Sequence, residues 1–266
     1  MTLARLLRIS LALQLAGGGV LGYLLSAPWL AEPALRWLAA VAGAVALPVL
    51  VTAGALGGEL VIDAIVDPRQ PRRGLANALR VWLGETGASL RAFCFRQPFG
   101  ADFPEPATFH DPRRPAVLLI HGYVCNRAAW RPLLEAGALA GCNVATVDLL
   151  PVYTSIDDYA TVIGAAVERL SAAAGAPAVV LVAHSMGGLA ARAYLRRFGD
   201  AAVARVITIA TPHAGTRFAR LGSGVNARQM RPGSDWLHAL DGALTPALRT
   251  RFVCIAAGDD NLILPR

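Results

Sequence analysis

Residues 178–192, Ala-Val-Val-Leu-Val-Ala-His-Ser-Met-Gly-Gly-Leu-Ala-Ala-Arg, constrain the fold more than any other stretch. The apolar run before His184 reads as a buried strand, and Leu189, Ala190, Ala193, Tyr194 and Leu195 read as the apolar face of a helix that follows at once. The turn between them carries Ser185 at its tip. Strand and helix can pass that closely only if the residues two before and two after the serine are nearly free of side chain. They are Ala183 and Gly187, with Gly188 easing the start of the helix. Glycine is the usual residue at the first position, so Ala183 departs from the pattern by one methyl group. A serine held this way is presented as a nucleophile for acyl transfer, and the competing reading is an ordinary turn with an idle serine.

A second segment, Pro115-Ala-Val-Leu-Leu-Ile-His121-Gly122-Tyr123, is a short apolar run ending in His-Gly and predicts a central strand followed by a loop that needs a glycine. Backbone N–H groups after such a strand and after the nucleophile can together stabilise a tetrahedral oxyanion, which nominates Tyr123 N–H and Met186 N–H. His121 is expected to be a packed, hydrogen-bonded histidine rather than a base, since it precedes the serine. A third segment, residues 251–265, is an apolar strand followed by Gly258, Asp259 and Asp260. It places a carboxylate at the C-terminal edge of a strand, where open α/β sheets build their sites, although Gly and Asp also cluster in ordinary turns.

With these segments in view, the chain resembles a bacterial triacylglycerol-lipase-like member of the α/β-hydrolase superfamily over roughly residues 113–266. The oxyanion-loop signature matches His121-Gly122-Tyr123, the nucleophile elbow matches Ala183-His184-Ser185-Met186-Gly187, and a Thr-Pro-His element matches Thr211-Pro212-His213-Ala214-Gly215-Thr216. The family's Asp-x-x-Val/Ile element matches Asp260-Asn261-Leu262-Ile263. The resemblance implies a serine carboxylic-ester hydrolase with a lipid or other ester as substrate, Ser185 as nucleophile and Asp260 as the acid. It also implies a histidine after the acid, and here the chain departs from the pattern. His110, His121, His184, His213 and His238 all precede Asp260, and the last strand and helix of the fold are missing. Three explanations stand open: a C-terminally shortened sequence, a degenerate enzyme acting as an inactive membrane-bound scaffold or binding protein, and an internal base supplied by His213 or His238. Of these two, His213 follows a strand, and its imidazole is expected to bond to loop backbone.

The first third of the chain is a different material. Ile9 to Ala31 and Trp37 to Gly58 carry no charged residue, and each is long enough to cross a hydrocarbon core of about 30 Å. They predict two transmembrane helices joined by a turn at residues 32–36, with Gly17, Gly18, Gly19, Gly54, Gly57 and Gly58 suited to close helix packing in lipid. A cleaved signal peptide and a wholly soluble pair of helices are the alternatives. Arg5 and Arg8 precede the first segment, Arg69, Arg72 and Arg73 follow the second, and Arg36 alone lies between. The positive-inside rule therefore puts both ends, and the following domain, on the cytoplasmic side of what the resemblance implies is a bacterial inner membrane.

The organisation expected is a transmembrane hairpin over 1–74, a juxtamembrane helix and linker over 75–112, and an α/β-hydrolase domain lacking its C-terminal end over 113–266. Within it, strands at 116–120, 144–148, 178–183, 203–210 and 252–257 alternate with helices near 128–137, 157–174 and 187–198, with 214–245 irregular or helical. That alternation predicts a mostly parallel sheet with helices on both faces. The lid and pocket are expected in 125–130 and 214–245. The net charge of +7 is carried by scattered arginines, with no lysine, so no nucleic-acid module emerges, and the juxtamembrane arginines suit anionic lipid headgroups. Cys94, Cys125, Cys142 and Cys254 lack metal-ligand spacing and are expected to be buried free thiols. Nothing points to a metal or an organic cofactor.

Overall fold

A computed structural model describes residues 2–66, 74–100 and 111–256, the side chains of 62–66 excepted. The chain forms two compact units, Leu3–Gly100 and Ala101–Arg266. In the first, α1 (Leu3–Ser26) and α2 (Pro33–Val66) are long and apolar enough to cross a membrane. They pack antiparallel at close range: a Cβ on Gly18 would collide with Gly43 O, and one on Gly22 with Ala39 O. Gly18 and Gly22, four residues apart, make the small-residue face that lets two backbones touch. Gly22 carried no signal in the sequence reading, whereas Gly54 and Gly58, expected to pack, have nothing within 4 Å. The connection also differs from the predicted one. Pro33 opens α2, as suits a residue without an N–H in a first helical turn, and Arg36 folds back to donate to Leu30 O at 2.7 Å and Ala27 O at 3.4 Å. Then follow α3 (Leu75–Leu90), a π-helical turn Arg91–Arg96 and the single turn α4 (Gln97–Phe99).

The second unit alternates strand and helix. Its elements are β1 (Ala116–Ile120), a 3₁₀ turn Arg127–Trp130, α5 (Arg131–Glu135), β2 (Asn143–Val147), α6 (Ile156–Ala174), β3 (Val179–His184), α7 (Met186–Phe198) and β4 (Val203–Ile209). A 3₁₀ turn Arg217–Arg220, α8 (Gly224–Gln229), α9 (Asp235–Gly242), α10 (Pro246–Arg249) and β5 (Phe252–Ile255) complete it. The helix expected near 128–137 is thus shorter, and the irregular 214–245 resolves into short helices. The five strands form one parallel sheet in the order β2-β1-β3-β4-β5. From β1 the chain steps outward to β2 and then returns past β1 to β3, so strand order reverses between β1 and β3. The crevice beyond their C-terminal ends is where such a sheet offers a site.

Alternation along the strands sorts the core into two layers. Leu118, Ile120, Leu181 and Ala183 pack under α6 and α7, while Val117, Leu119 and Val182 pack with Trp130, Leu133 and Leu134 on the other face. Each large aliphatic side chain buried this way contributes about 2 kcal/mol. Helix α6 is bounded by local signals: Ser155 accepts from Asp157 N at 3.2 Å at its start, and Gly175 adopts φ 60° at its end. Among the described residues no disulfide joins the four cysteines, and none is buried as expected: Cys94, Cys125 and Cys142 are half-buried and Cys254 is exposed on β5.

Candidate active site

In-register pairing of Ile120 with Ala183 delivers the ends of β1 and β3 side by side. Ser185 follows with φ 53° and ψ −127°, and its neighbour Met186 is already the first residue of α7. A side chain at this backbone conformation carries roughly 1–3 kcal/mol of strain, which persists only where the surroundings over-determine it. Three hydrogen bonds do so. Ser185 N donates to Ile209 O at 2.9 Å, and Ser185 O accepts from Gly188 N and from Thr211 Oγ1, both at 3.0 Å.

The small residues sit where the backbone needs them. A Cβ on Gly122 would lie 2.9 Å from Ser185 Cβ, and one on Gly187 would lie 2.5 Å from His121 O and 2.6 Å from Ile120 O. The methyl group of Ala183 is fully buried within β3. Among the described residues the amides of Tyr123 and Met186 have no hydrogen-bond acceptor: Met186 is the first residue of its helix, and Tyr123 is bonded only through its ring hydroxyl. That hydroxyl donates to Ser223 O and accepts from Ser223 N, each at 2.8 Å, and so ties the loop after β1 to the segment before α8.

His121 is buried with both ring nitrogens engaged. Leu149 N donates to Nε2 at 3.0 Å, so that nitrogen carries no proton, and Nδ1 donates to Gly122 O at 2.9 Å. Burial holds its pKa below the ordinary histidine value despite Asp148 Oδ1 at 3.7 Å from Nε2. Asp148 in turn accepts from Arg127 N and Arg127 Nε, both at 2.7 Å, which fixes the far end of the same loop. The segments expected to form a lid are likewise tied down. Asn126 accepts from Ala128 N at 3.1 Å, Asn226 Nδ2 donates to Val152 O at 2.8 Å, and Gln229 Oε1 accepts from Ile156 N at 2.7 Å.

The base side is different. His213 Nε2 lies 3.1 Å from Thr208 Oγ1 and 3.7 Å from Cys254 Sγ, and its ring meets Phe252 edge-on. It bonds to a side chain of β4 rather than to loop backbone, as had been expected, and it does not bond to Ser185. Burial first, and the Arg192 guanidinium second, push its pKa down to about 4. His238 is exposed on α9, and His184 packs edge-on against Trp130. Ser185 Oγ has no hydrogen-bond partner among the described residues. Asp260 and His110 lie outside them; because all strands are parallel, the end of β5 points to the same sheet edge as Ser185. No metal-holding cluster occurs among the described residues.

Sequence reasoning missed Arg192. It is 2% exposed, donates to His213 O at 3.1 Å and to Asp241 Oδ1 at 3.0 Å, and its Nε has no partner among the described residues. It thereby holds the Thr211–Gly215 turn against α7. Its signal was an arginine inside the uninterrupted buried run 186–195.

Comparison with known proteins accords with this architecture. Residues 115–231 match the family described as alpha/beta hydrolase fold. Among solved structures, lipase B of Aspergillus fumigatus superposes with a TM-score of 0.53 at 17% identity, over 60% of this chain and 42% of that one. A mature lipase of Bacillus licheniformis gives 0.48 at 22% identity, over 57% of this chain and 68% of its own. The chain thus spans less than half of the Aspergillus enzyme. No curated protein matches the sequence significantly.

Proposed function

The chain carries an α/β-hydrolase-fold domain behind two long apolar helices, and from that premise we propose that it is a membrane-anchored, hydrolase-like binding protein for an ester or acyl ligand. One observation supports this reading: the Tyr123 and Met186 amides have no acceptor among the described residues, while each described histidine is engaged elsewhere or exposed. Ser185 has no base beside it among the described residues, and a serine hydroxyl without one is a weak nucleophile, whereas the two amides retain the capacity to hold a polarised oxygen. In this reading the two apolar helices anchor the chain in a bacterial inner membrane, and the arginine distribution supports a cytoplasmic position for the domain.

The test compares binding with turnover on the 266-residue chain in detergent. Calorimetric titration with 2-undecanone, a carbonyl that cannot be cleaved, is expected to show saturable binding. Hydrolysis of p-nitrophenyl butyrate is expected to equal that of the Ser185→Ala variant. Turnover well above that variant overturns the binding-only reading.

A second reading is favoured by the strain at Ser185, which an idle serine does not need. In it the protein is a serine carboxylic-ester hydrolase: Ser185 attacks the ester carbonyl, Tyr123 and Met186 N–H hold the oxyanion, and Asp260 orients an imidazole contributed from outside the described residues. His121, Gly122 and Gly187 support the loop and the elbow. Labelling by a fluorophosphonate ester, abolished in Ser185→Ala, is the result this reading requires.

A further inference from the structure

The segment Leu75–Phe99 carries a row of exposed apolar side chains. Leu75, Leu79 and Leu83 recur at every fourth position of α3, which aligns them along one side of the helix, and all three are exposed. Beyond α3 the π-helical turn and α4 leave Phe95 and Phe99 66% and 60% exposed. Such aromatic exposure on one continuous segment is what a partner surface looks like before it is covered.

Three features of this segment identify the partner. The first is position. Trp82 Nε1 donates to Ala53 O at 2.8 Å, and the apolar span of α2 runs to Val61, so α3 meets α2 about 12 Å of helix short of the end of that span. An in-plane amphipathic helix buries its apolar face to a comparable depth. The second is continuity: α4 packs on α1, and α3 packs on α2 at Ala53, which the pairing of Gly18 with Gly43 and Gly22 with Ala39 sets opposite Arg8, so the segment lies beside the hairpin at the end that carries Arg5 and Arg8. The third is charge. The segment holds Arg80, Arg91 and Arg96 against the single acid Glu85, and Arg80 and Arg91 are exposed.

We propose that Leu75–Phe99 is an in-plane membrane element, with Leu79, Leu83, Phe95 and Phe99 seated at the boundary of headgroups and acyl chains and the arginines on the phosphates of anionic lipids. It adds a second kind of membrane contact to the hairpin and gives the anchor a preference for lipid charge. The proposal rests on the hairpin crossing the bilayer and is independent of what the Ser185 site does.

The experiment uses the full chain with Cys94, Cys125, Cys142 and Cys254 replaced by serine, reconstituted into vesicles of phosphatidylcholine with or without phosphatidylglycerol. A fluorophore is placed singly at Phe95→Cys, at Gly84→Cys on the opposite side of α3, or at Leu21→Cys within the hairpin. Quenching by a shallow nitroxide lipid is expected to be at least ~3-fold stronger at position 95 than at 84, with the reverse order for an aqueous quencher. Phosphatidylglycerol is expected to strengthen the lipid quenching at 95, and an Arg80→Gln, Arg91→Gln, Arg96→Gln triple variant to lose that increment. Equal aqueous access at 95 and 84, with position 21 still quenched by a deep nitroxide lipid, overturns the in-plane element alone. Shielding of 95 from both quenchers means that protein covers it and also overturns the proposal. Loss of lipid quenching at position 21 removes the hairpin reading and the in-plane element with it.

Discussion

The two sides of Ser185 are built to different standards. On the β1 side, His121 is buried, both its nitrogens are engaged, Gly122 leaves room for the Ser185 Cβ, and Gly187 admits a backbone contact that no side chain would allow. On the β5 side, the strand that carries the chain toward Asp260 leaves Val253 and Ile255 43% and 49% exposed, and His213 spends its ring on Thr208 and Cys254. The first side depends on contacts between adjacent strands and the turns that follow them. The second depends on groups that must converge from distant parts of the chain. Among the described residues the groups on the first side are therefore fixed more tightly than those on the second, and the binding reading proposed above draws on that asymmetry.

The largest expected effect breaks the ordered side outright. Gly187→Ala brings a methyl group to 2.5 Å from His121 O and 2.6 Å from Ile120 O, and backbone on both sides cannot give way as a side-chain tip would. A loss of about 3 kcal/mol is expected. For a domain of this size that lowers Tm by roughly 6–12 °C, read by the thermal loss of near-ultraviolet circular dichroism in detergent. An unchanged Tm would mean that α7 and β1 are not in this contact.

A pair of histidine variants sharpens the comparison. His121→Leu strands the buried Leu149 N–H and Gly122 O, at a cost of about 1–3 kcal/mol for each group left without a partner. His213→Leu strands a single buried group, Thr208 Oγ1, and is expected to cost about 1–3 kcal/mol in all, about half the loss at His121. Chemical denaturation midpoints in the reverse order would show that the β5 side is the better determined one.

How much of this was legible in the sequence follows the same division. The elbow, its strand and its helix were readable because local rules govern them: an apolar run, a serine flanked by small residues, and a helix beginning at once. The parallel sheet followed from the alternation of strands and helices. Less legible were features that depend on which residues meet in space. Gly22 became a packing residue only because Ala39 lies opposite, while Gly54 and Gly58 looked equivalent in sequence and meet nothing. Arg192 is buried because Asp241, far along the chain, arrives to pair with it. Cys254 belongs to an apolar strand yet is exposed because β5 is an edge strand. The role given to Asp260 lies outside the described residues and stands as a proposal.

Acid separates the histidines by a third route. With His213 held to about 4 in the folded protein against 6.5 unfolded, the unfolded chain binds the proton first as pH falls. Stability is thus full above about pH 6.5 and declines toward pH 4, at a rate approaching about 1.4 kcal/mol per pH unit from this group. His121, also depressed by burial, adds a decline of the same sign. Denaturation midpoints of the parent and of His213→Gln, measured between pH 7 and 4.5, are expected to converge as pH drops, because the variant lacks one of the protons taken up on unfolding. Parallel curves would mean that the half-buried His213 ring is not desolvated enough to hold its pKa down.

The smallest effect concerns the elbow itself. Ser185 holds φ 53° and ψ −127°, a conformation open to glycine and strained for any residue with a Cβ. Ser185→Gly relieves that strain and gives up only the extra freedom glycine has when unfolded, leaving a net gain of about 1 kcal/mol and a rise in Tm of about 2–4 °C. Ser185→Ala keeps the Cβ, and so the strain, and is expected to leave Tm unchanged, since Oγ bonds to no described residue. The two variants together separate backbone strain from side-chain bonding. A gain with glycine alone means that the fold tolerates an energetic cost to hold a hydroxyl at this tip, which an idle turn would have had no reason to keep. Equal Tm values for glycine, alanine and serine would mean that the turn is relaxed, and the carbonyl-binding role proposed for this side of the site would lose its physical support.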